Sequence, residues 1–326
     1  MPDLRFWRRH PAGDGGAPQP ADPPREPRIR GRGPMLPYSK GRMAQTLMLS
    51  GVEAERAYQL AQVIEREVGD SGADEVEIEE LHRLVEGVLG REETPAMLAR
   101  YHGWRQMAHL DRPLVLVLGG ATGTGKSSLA TDIAFRLGIS RITSTDAVRQ
   151  VMRAFFASEL MPALHFSSFE AGEGLRIPMP DPDAEDRALY GFIQQAEQVA
   201  VGANAIIERA VMEGLSTVVE GVHLVPGLVA PERHHNAVVV QVMLAISDED
   251  AHQAHFLLRD YETDGGRAMD RYLERFGEIR RIQDYLVGRA ERLGVPVIEA
   301  GDQNAALVDV IDLILERAGG RAVALG

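Results

Sequence analysis

Apolar residues recur every three or four positions in the first third of the chain, which is the spacing of an amphipathic helix. Ser39 can cap a first helix, a second follows from Glu53 to Val68, and a third runs from Ile78 to Leu89. The apolar faces of these helices carry Met43, Leu47 and Leu49, then Ala57, Leu60, Ala61 and Ile64, then Leu81, Leu84, Val85 and Val88. The spacing predicts a small helical domain over residues 34–92 and a helical connector over residues 93–112.

A different pattern begins at Pro113. Short apolar runs alternate there with longer amphipathic segments, which is typical of a parallel sheet whose strands are joined by crossover helices. The runs lie at residues 114–118, 141–145, 216–219, 237–245 and 295–299. The pattern therefore predicts an α/β fold, a doubly wound parallel sheet of five strands, over residues 113–326.

A glycine-rich segment joins the first of these strands to a helix. It reads Gly119-Gly120-Ala121-Thr122-Gly123-Thr124-Gly125-Lys126-Ser127-Ser128. The spacing Gly120-x-x-x-x-Gly125-Lys126-Ser127 is the P-loop pattern, in which backbone N–H groups and a helix amino terminus surround a phosphate chain. We expect Lys126 to reach the β- and γ-phosphates of a nucleoside triphosphate and Ser127 to bind Mg2+. The predicted nucleotide contacts are Gly120, Thr122, Gly123, Thr124, Gly125, Lys126, Ser127 and Ser128.

Candidate residues for the phosphate acceptor follow the second predicted strand. Asp146 lies at its carboxyl end, which faces the ligand crevice in an open α/β sheet. There a carboxylate can accept the proton of a substrate hydroxyl during phosphoryl transfer, although aspartate is also a good helix N-cap. Arg149 and Arg153 follow on the same helix face and predict either a clamp for an anionic substrate or surface ion pairs.

Glu220 ends the third predicted strand, directly after the β-branched run Thr217 to Val219. A carboxylate in this place is the Walker B position of P-loop enzymes, where it holds Mg2+, through water in some of them, or polarises the nucleophile. A charge that follows a buried run needs a partner. We therefore predict that Glu220 and Ser127 share the Mg2+ site.

Residues 160–183 are predicted to form the substrate loop. This segment has no helical or strand period and carries four prolines, which is typical of an ordered functional loop. It contains His165, Ser167 and Ser168, whose polar groups are candidates for the substrate pocket. A histidine in a loop is more often a structural hydrogen-bond former, and that alternative stays open for His165.

A break between two helices at residues 263–266 is predicted to belong to a lid. Small kinases close an arginine-bearing lid over the triphosphate, where it neutralises charge and excludes water. Arg259 and Arg267 flank the break and are the predicted catalytic lid residues. Arg271 and Arg275 continue from Arg267 at four-residue spacing and are interpreted as structural residues.

Composition limits the partners of the chain. The net charge is −13, which argues against nucleic acid as the main partner, and no cysteine is present for a disulfide or thiol site. No run approaches the roughly 18 apolar residues that a membrane span needs. We expect a cytoplasmic protein that binds no membrane. Residues 1–33, rich in proline and glycine, are predicted to be a disordered tail.

Lysine usage favours ATP over GTP as the nucleotide. The chain has two lysines, Lys40 and Lys126, and arginine supplies the other basic residues. A GTPase needs an Asn/Thr-Lys-x-Asp motif after a later strand, and no lysine follows Lys126. The predicted cofactors are therefore ATP and Mg2+.

Several stretches together resemble the 2-phosphoglycerate kinase family. Besides the P-loop they are Thr143-Ser144-Thr145-Asp146-Ala147-Val148-Arg149-Gln150-Val151-Met152-Arg153, Leu164-His165-Phe166-Ser167-Ser168-Phe169-Glu170-Ala171, Val219-Glu220-Gly221-Val222-His223, and residues 271–286. Residues 36–61 resemble an ATP-cone, a nucleotide-sensing regulatory domain. Lys40 and Arg42 would be candidate phosphate contacts there, or they belong to a solvated helix end. The resemblance implies transfer of phosphate from ATP to 2-phosphoglycerate, and it raises His165, Ser167 and Ser168 as substrate-pocket residues.

Two other functions are compatible with the same sequence. P-loop kinases of this size also phosphorylate other hydroxylated metabolites, as zeta-toxin-like kinases do, and fold does not fix the substrate. An ATP-sensing regulatory protein would use the P-loop without transferring phosphate. By resemblance to small P-loop kinases, the strand order of the sheet is expected to be 2-3-1-4-5. The partner expected for the leading function is a small phosphorylated acid.

Overall fold

The computed structural model describes residues 27–30, 35–70, 75–107, 112–175, 184–229, 234–262 and 269–319 of the chain. Two units follow each other along the sequence. Within the described ranges, none of the helices combines the length and the apolar character that are needed to cross a lipid bilayer.

The first unit, residues 28–107, combines helices with a small sheet. Its strands pair in the order β2-β1-β3, with β1 antiparallel to β2 and parallel to β3. Its core is made of apolar side chains from all of its helices, among them Leu47, Ile64, Val85 and Tyr101. The elements are β1 (Arg28–Arg30), β2 (Leu36–Pro37), α1 (Lys40–Leu49), α2 (Ala54–Asp70), β3 (Glu75–Glu77), α3 (Ile78–Glu92) and α4 (Pro95–Met107).

Two boundaries of this unit differ from the predicted ones. Arg28–Arg30 forms a strand, so the prediction of a disordered tail through residue 33 is wrong at these three residues. The residues before 27 lie outside the described part of the chain. α4, in the segment predicted as a connector, places Tyr101 in the core of the first unit. It therefore helps to build that unit.

The second unit, residues 112–319, has a five-stranded, all-parallel sheet in the order β5-β6-β4-β7-β8. Counted from the first strand of the unit, this is the order 2-3-1-4-5 that was expected. The strands are β4 (Leu114–Gly120), β5 (Ile142–Ser144), β6 (Thr217–Gly221), β7 (Val238–Ala245) and β8 (Val297–Glu299). The helices are α5 (Lys126–Leu137), α6 (Thr145–Phe155), α7 (Ala184–Met212), α8 (Glu249–Glu262), α9 (Met269–Glu274), α10 (Phe276–Leu293) and α11 (Gln303–Arg317).

β4 is the central strand, and every one of its residues is buried. α5 and α11 pack on the face that carries Leu116 and Leu118, while α7 packs on the face that carries Val115 and Val117. A central strand covered on both faces has the continuous apolar sequence that the chain shows at residues 114–118. The carboxyl ends of β4, β5 and β6 then lie side by side and open towards the same edge of the sheet.

Two arginines join the units. Arg100 of α4 is nine-tenths buried and donates from Nε and Nη2 to the two carboxylate oxygens of Asp312 on α11, at 2.7 and 2.9 Å. Arg136, in the last turn of α5, donates to the backbone oxygen of Met48 at the end of α1, at 2.6 Å. The burial of Arg136 lowers the pKa of its guanidinium. The helix that starts at the P-loop is thus tied to the first helix of the first unit.

Candidate active site

A cavity of about 780 Å3 opens at the carboxyl edge of the parallel sheet. Its walls come from the P-loop, from α6, from the loop after α6 and from the end of β6, and His255, Arg271, Tyr272 and Gln303 also line it. The structure brings most of the predicted site residues together there. They are Thr122, Gly123, Gly125, Lys126, Ser127, Ser128, Asp146, Arg149, Arg153, His165, Ser167, Ser168 and Glu220.

The P-loop is held in its phosphate-binding shape by glycine and by tight packing. Gly123 has φ +90°, and a Cβ atom there would lie 2.5 Å from the ring of Phe256. No other residue type is compatible with both the backbone angle and this approach. The Thr124 hydroxyl donates to the Ala121 carbonyl at 3.0 Å, and the ammonium of Lys126 donates to the same oxygen at 2.6 Å. Lys126 is 9% exposed and lies on the cavity wall.

Ser127 and Glu220 lie next to each other, although they are far apart in sequence. The Ser127 hydroxyl donates to Oε1 of Glu220 at 3.1 Å, and Glu220 is 6% exposed. A hydroxyl and a carboxylate oxygen are ligands that suit Mg2+, which in nucleotide sites takes one or two protein ligands together with phosphate oxygens and water. In the described ranges no three His, Asp or Glu side chains cluster as a metal site, which is compatible with such a sparse donor set.

Asp146 lines the cavity and is not the cap of its helix. Ser144 is the N-cap of α6, and its hydroxyl accepts from the N–H of Ala147 at 3.1 Å. Asp146 lies in the first turn with 68% of its side chain exposed, on the cavity lining. The alternative interpretation of Asp146 as the helix cap is therefore wrong.

Arg149 holds the substrate loop in place. It is 8% exposed, and its Nη1 donates to the backbone oxygens of Leu164 and Phe166 at 3.0 and 2.9 Å. Its Nε donates to Oδ1 of Asp146 at 3.3 Å. The predicted surface ion pairs do not describe this buried residue. Arg149 connects the acceptor-side carboxylate to the loop and still contributes to the cavity wall.

Arg153, one turn further along α6, has fewer hydrogen bonds to the protein than Arg149 has. Its Nη1 donates to Oε1 of Gln150 at 3.1 Å. Its Nε is buried and has no hydrogen-bond partner in the described part of the chain. A buried donor without a partner is costly in a folded protein, so this group is suited to receive an anionic ligand.

The three polar candidates of the substrate loop have different roles. His165 donates from Nε2 to the Phe156 carbonyl at 3.0 Å. This is the structural hydrogen bond that was the alternative to a role in the substrate pocket. Ser167 donates to Glu170, and Ser168 is 7% exposed on the cavity wall.

Arg267 lies outside the described residues, and of Arg259 only the backbone, within α8, is described. The lid prediction stays a prediction.

Comparison with known proteins adds two findings. The ATP cone domain model matches residues 29–109. The 2-phosphoglycerate kinase of Methanopyrus kandleri is 39% identical over 88% of this chain and 85% of its own length. The enzymes of that name from Methanothermobacter thermautotrophicus and Thermococcus kodakarensis are 40% and 38% identical over 86% of this chain, covering 89% and 92% of those proteins.

This chain belongs to the 2-phosphoglycerate kinase family.

In this member of the 2-phosphoglycerate kinase family, a buried histidine that sequence analysis did not assign links the site elements. Nε2 of His223 donates to Oε1 of Gln195 at 2.9 Å, and Nδ1 accepts from the Thr145 hydroxyl at 2.9 Å. The Gln195 amide in turn donates to the backbone oxygens of Ala163 and Phe166. Burial lowers the pKa of His223 to about 4, so the imidazole is neutral. The network joins α6, α7 and the substrate loop.

Two further histidines of this family member support the P-loop from α8. His252, fully buried, donates from Nε2 to the Thr122 carbonyl at 2.8 Å, and His255 donates from Nδ1 to the Gly123 carbonyl at 3.0 Å. Burial is the main cause that lowers the pKa of His252 to about 4, and Arg280 adds to it. The spacing of three residues places both histidines on one helix face. Sequence alone could not show that this face meets the P-loop.

An ion pair between Glu170 and Arg271 is another feature of the site that the sequence did not predict. Arg271 of α9 donates from Nε to Oε1 of Glu170 at 2.7 Å and from Nη2 to the Ser167 hydroxyl at 2.9 Å, and Nη2 also donates to Oε2 of Glu170. The hydrogen bond from Arg271 is the main cause that lowers the pKa of Glu170. The interpretation of Arg271 as purely structural is incomplete, because its side chain also lines the cavity.

Proposed function

We propose that this protein transfers the γ-phosphate of ATP to the free hydroxyl of 2-phosphoglycerate, which gives ADP and 2,3-bisphosphoglycerate. The observation that carries the proposal is a single cavity that holds a P-loop with its Ser127–Glu220 pair together with an exposed carboxylate, Asp146, and two arginines of α6. The names of the curated relatives agree with this reaction.

The two parts of the cavity suit the two substrates. The P-loop offers backbone N–H groups, the start of α5 and Lys126 to the triphosphate. The acceptor part offers Arg149 and Arg153 to the phosphate and carboxylate of a phosphorylated acid. Guanidinium groups bind such oxyanions through paired hydrogen bonds. We infer a small phosphorylated acid as partner and the cytoplasm as the place of action.

In the proposed reaction Asp146 accepts the proton of the acceptor hydroxyl. The hydroxyl oxygen forms its bond to the γ-phosphorus as the bond from that phosphorus to the β–γ bridging oxygen breaks, and ADP leaves with the electron pair. Lys126 neutralises charge on the phosphate oxygens during transfer. Ser127 and Glu220 would hold Mg2+, which supplies positive charge at the phosphates when bound.

The experiment that tests the function offers ATP and Mg2+ with one acceptor at a time. The panel is 2-phosphoglycerate, 3-phosphoglycerate, glycerate and a sugar nucleotide, with ADP release and product mass measured together. A bisphosphoglycerate formed from 2-phosphoglycerate alone is the expected result. ADP release with no phosphorylated product, or phosphorylation of the sugar nucleotide instead, would contradict the proposal.

A further inference from the structure

Arg271 is the charged side chain that reaches the cavity from α9, the first helix described after residues 263–268. Its guanidinium spans from α9 to the substrate loop and is 56% exposed on the side chain. Nε and Nη2 are engaged by Glu170 and Ser167. Among the described residues, Nη1 has no hydrogen-bond partner. One edge of the guanidinium is therefore fixed, and the other is available to a ligand.

Glu170 and Ser167 fix the orientation of this group. Only 13% of the Glu170 side chain is exposed, and both of its carboxylate oxygens accept from Arg271. The Ser167 hydroxyl accepts from Arg271 and donates to Glu170. The guanidinium carbon also lies 5.8 Å from the centre of the Phe169 ring. Such an ordered guanidinium loses little side-chain freedom when it binds an oxyanion.

The acceptor side of the cavity carries more positive than negative side chains, which favours the binding of an anion. Arg149, Arg153 and Arg271 line it, and Asp146 is the carboxylate among them. Nη1 of Arg149 donates to two backbone carbonyls of the loop. In the described ranges, by contrast, Nε of Arg153 and Nη1 of Arg271 have no hydrogen-bond partner. A phosphate monoester, with close to two negative charges and three acceptor oxygens, matches two such groups better than a single carboxylate does.

We propose that Arg271 is a substrate-binding residue that, with Arg153, binds the phosphate group of the acceptor. Glu170 is its positioning residue. This inference rests on the proposed function, because it places the phosphate of the phosphorylated acid acceptor. The phosphate of the acceptor is then bound by two helices that are distant in sequence, α6 through Arg153 and α9 through Arg271.

A matched pair of variants tests this assignment. Arg275 lies one turn further on, and it also pairs with the loop after α6, through Glu173 at 2.9 Å, but it does not line the cavity. We expect Arg271→Gln to raise the KM for 2-phosphoglycerate by about 20-fold or more, the loss typical of charged hydrogen bonds, with the KM for ATP unchanged. Arg275→Gln is expected to leave both values unchanged. Equal effects of the two variants on the KM for 2-phosphoglycerate would show that Arg271 only forms a structural ion pair and does not bind the substrate.

The chemical identity of the recognised group is tested with glycerate, which lacks the phosphate. Arg271→Gln should lower the affinity for 2-phosphoglycerate by the same large factor but leave the lower affinity for glycerate unchanged. An equal loss on both acceptors would overturn the phosphate assignment. Arg271→Lys, which keeps the charge but not the paired hydrogen bonds, is expected to recover part of the loss.

A binding measurement separates this inference from the proposed function. The protein is first saturated with Mg2+ and a non-hydrolysable ATP analogue, so that the P-loop is filled, and 2-phosphoglycerate is then titrated in a calorimeter. Binding to the wild type that is lost in Arg271→Gln supports the inference even if no phosphate is transferred. Normal turnover and unchanged binding in Arg271→Gln would overturn the inference and leave the function intact.

Discussion

Ser127 at the start of α5 and Glu220 at the end of β6 are joined by a hydrogen bond of 3.1 Å. The two residues belong to two neighbouring strand–loop segments of the sheet, because β6 pairs directly with the central strand β4. Their hydroxyl and carboxylate oxygens meet at the cavity wall, where the triphosphate of the nucleotide is expected. The pair therefore marks the position from which a divalent cation can reach the phosphates.

We predict that Glu220→Gln lowers kcat by about 100-fold or more, because the amide removes a negative ligand charge from the cation site. The Mg2+ concentration at half-maximal rate should rise in the same variant. Steady-state kinetics over a Mg2+ titration measures both effects. Glu197→Gln, an exposed carboxylate on α7, is the control. An unchanged Mg2+ response in Glu220→Gln would remove this residue from the cation site.

For Asp146→Asn we expect kcat to fall by about 100- to 10 000-fold, the range typical of a lost general base. The amide keeps the size of the side chain, so the affinity for nucleotide should stay within about twofold of the wild type. Single-turnover kinetics and fluorescence binding of a nucleotide analogue measure the two quantities. Asp132→Asn, exposed on α5, serves for comparison. Wild-type turnover in Asp146→Asn would exclude it as the base.

Because His223 and His252 are buried and neutral, we predict that the free energy of unfolding falls in mild acid. The pKa values of His223 and His252 are lowered to about 4, below the ordinary value of 6.5, so the unfolded chain takes up the protons first. Their contribution to the free energy of unfolding is complete above pH 6.5 and is lost as the pH falls towards 4, at about 1.4 kcal/mol per pH unit for each histidine.

Urea unfolding between pH 7.5 and 5 measures this dependence. His252→Gln keeps a donor for the Thr122 carbonyl but cannot titrate, so the variant should show a shallower pH dependence of unfolding free energy, by about one proton. Carboxylates contribute equally to both proteins and cancel in the comparison. Identical pH slopes for variant and wild type would show that His252 is not a neutral buried group.

We predict that Arg100→Ala destabilises the protein by about 2 kcal/mol, because it leaves Asp312 without the two hydrogen bonds that join the units. Thermal unfolding followed by circular dichroism measures the loss. Arg91→Ala, which removes an exposed ion pair with Glu67 within the first unit, is expected to leave the midpoint unchanged. Equal midpoints for Arg100→Ala and the wild type would show that this ion pair adds no stability.

Local sequence patterns were enough for the parallel sheet and for the phosphate end of the site. The apolar run of β4 and the glycine spacing after it each depend on neighbouring residues. The strand order came from the resemblance to small P-loop kinases, and the structure confirms it. Gln195, His223, His252 and Glu170 were not predicted as site residues. Their roles depend on contacts between segments that lie far apart in sequence, and a single polar residue on a helix does not indicate which segment it will meet.

The small sheet of the first unit was missed for a different reason. β1, β2 and β3 have two or three residues each, too few to show the alternation that identifies a strand. The proline- and glycine-rich composition around Arg28–Arg30 favoured a disordered segment over a strand. Backbone pairing with β3, which lies more than forty residues further along the chain, overrides that local preference.

The position of β1 in the middle of this sheet determines where the protein can be shortened. A chain that begins at residue 34, where composition suggests that the ordered part starts, would lack the strand that both β2 and β3 use as their partner. Two strand edges would then expose backbone N–H and C=O groups, which favours association between copies. A chain that begins before Pro27 keeps these groups paired and is the better starting point for crystallisation.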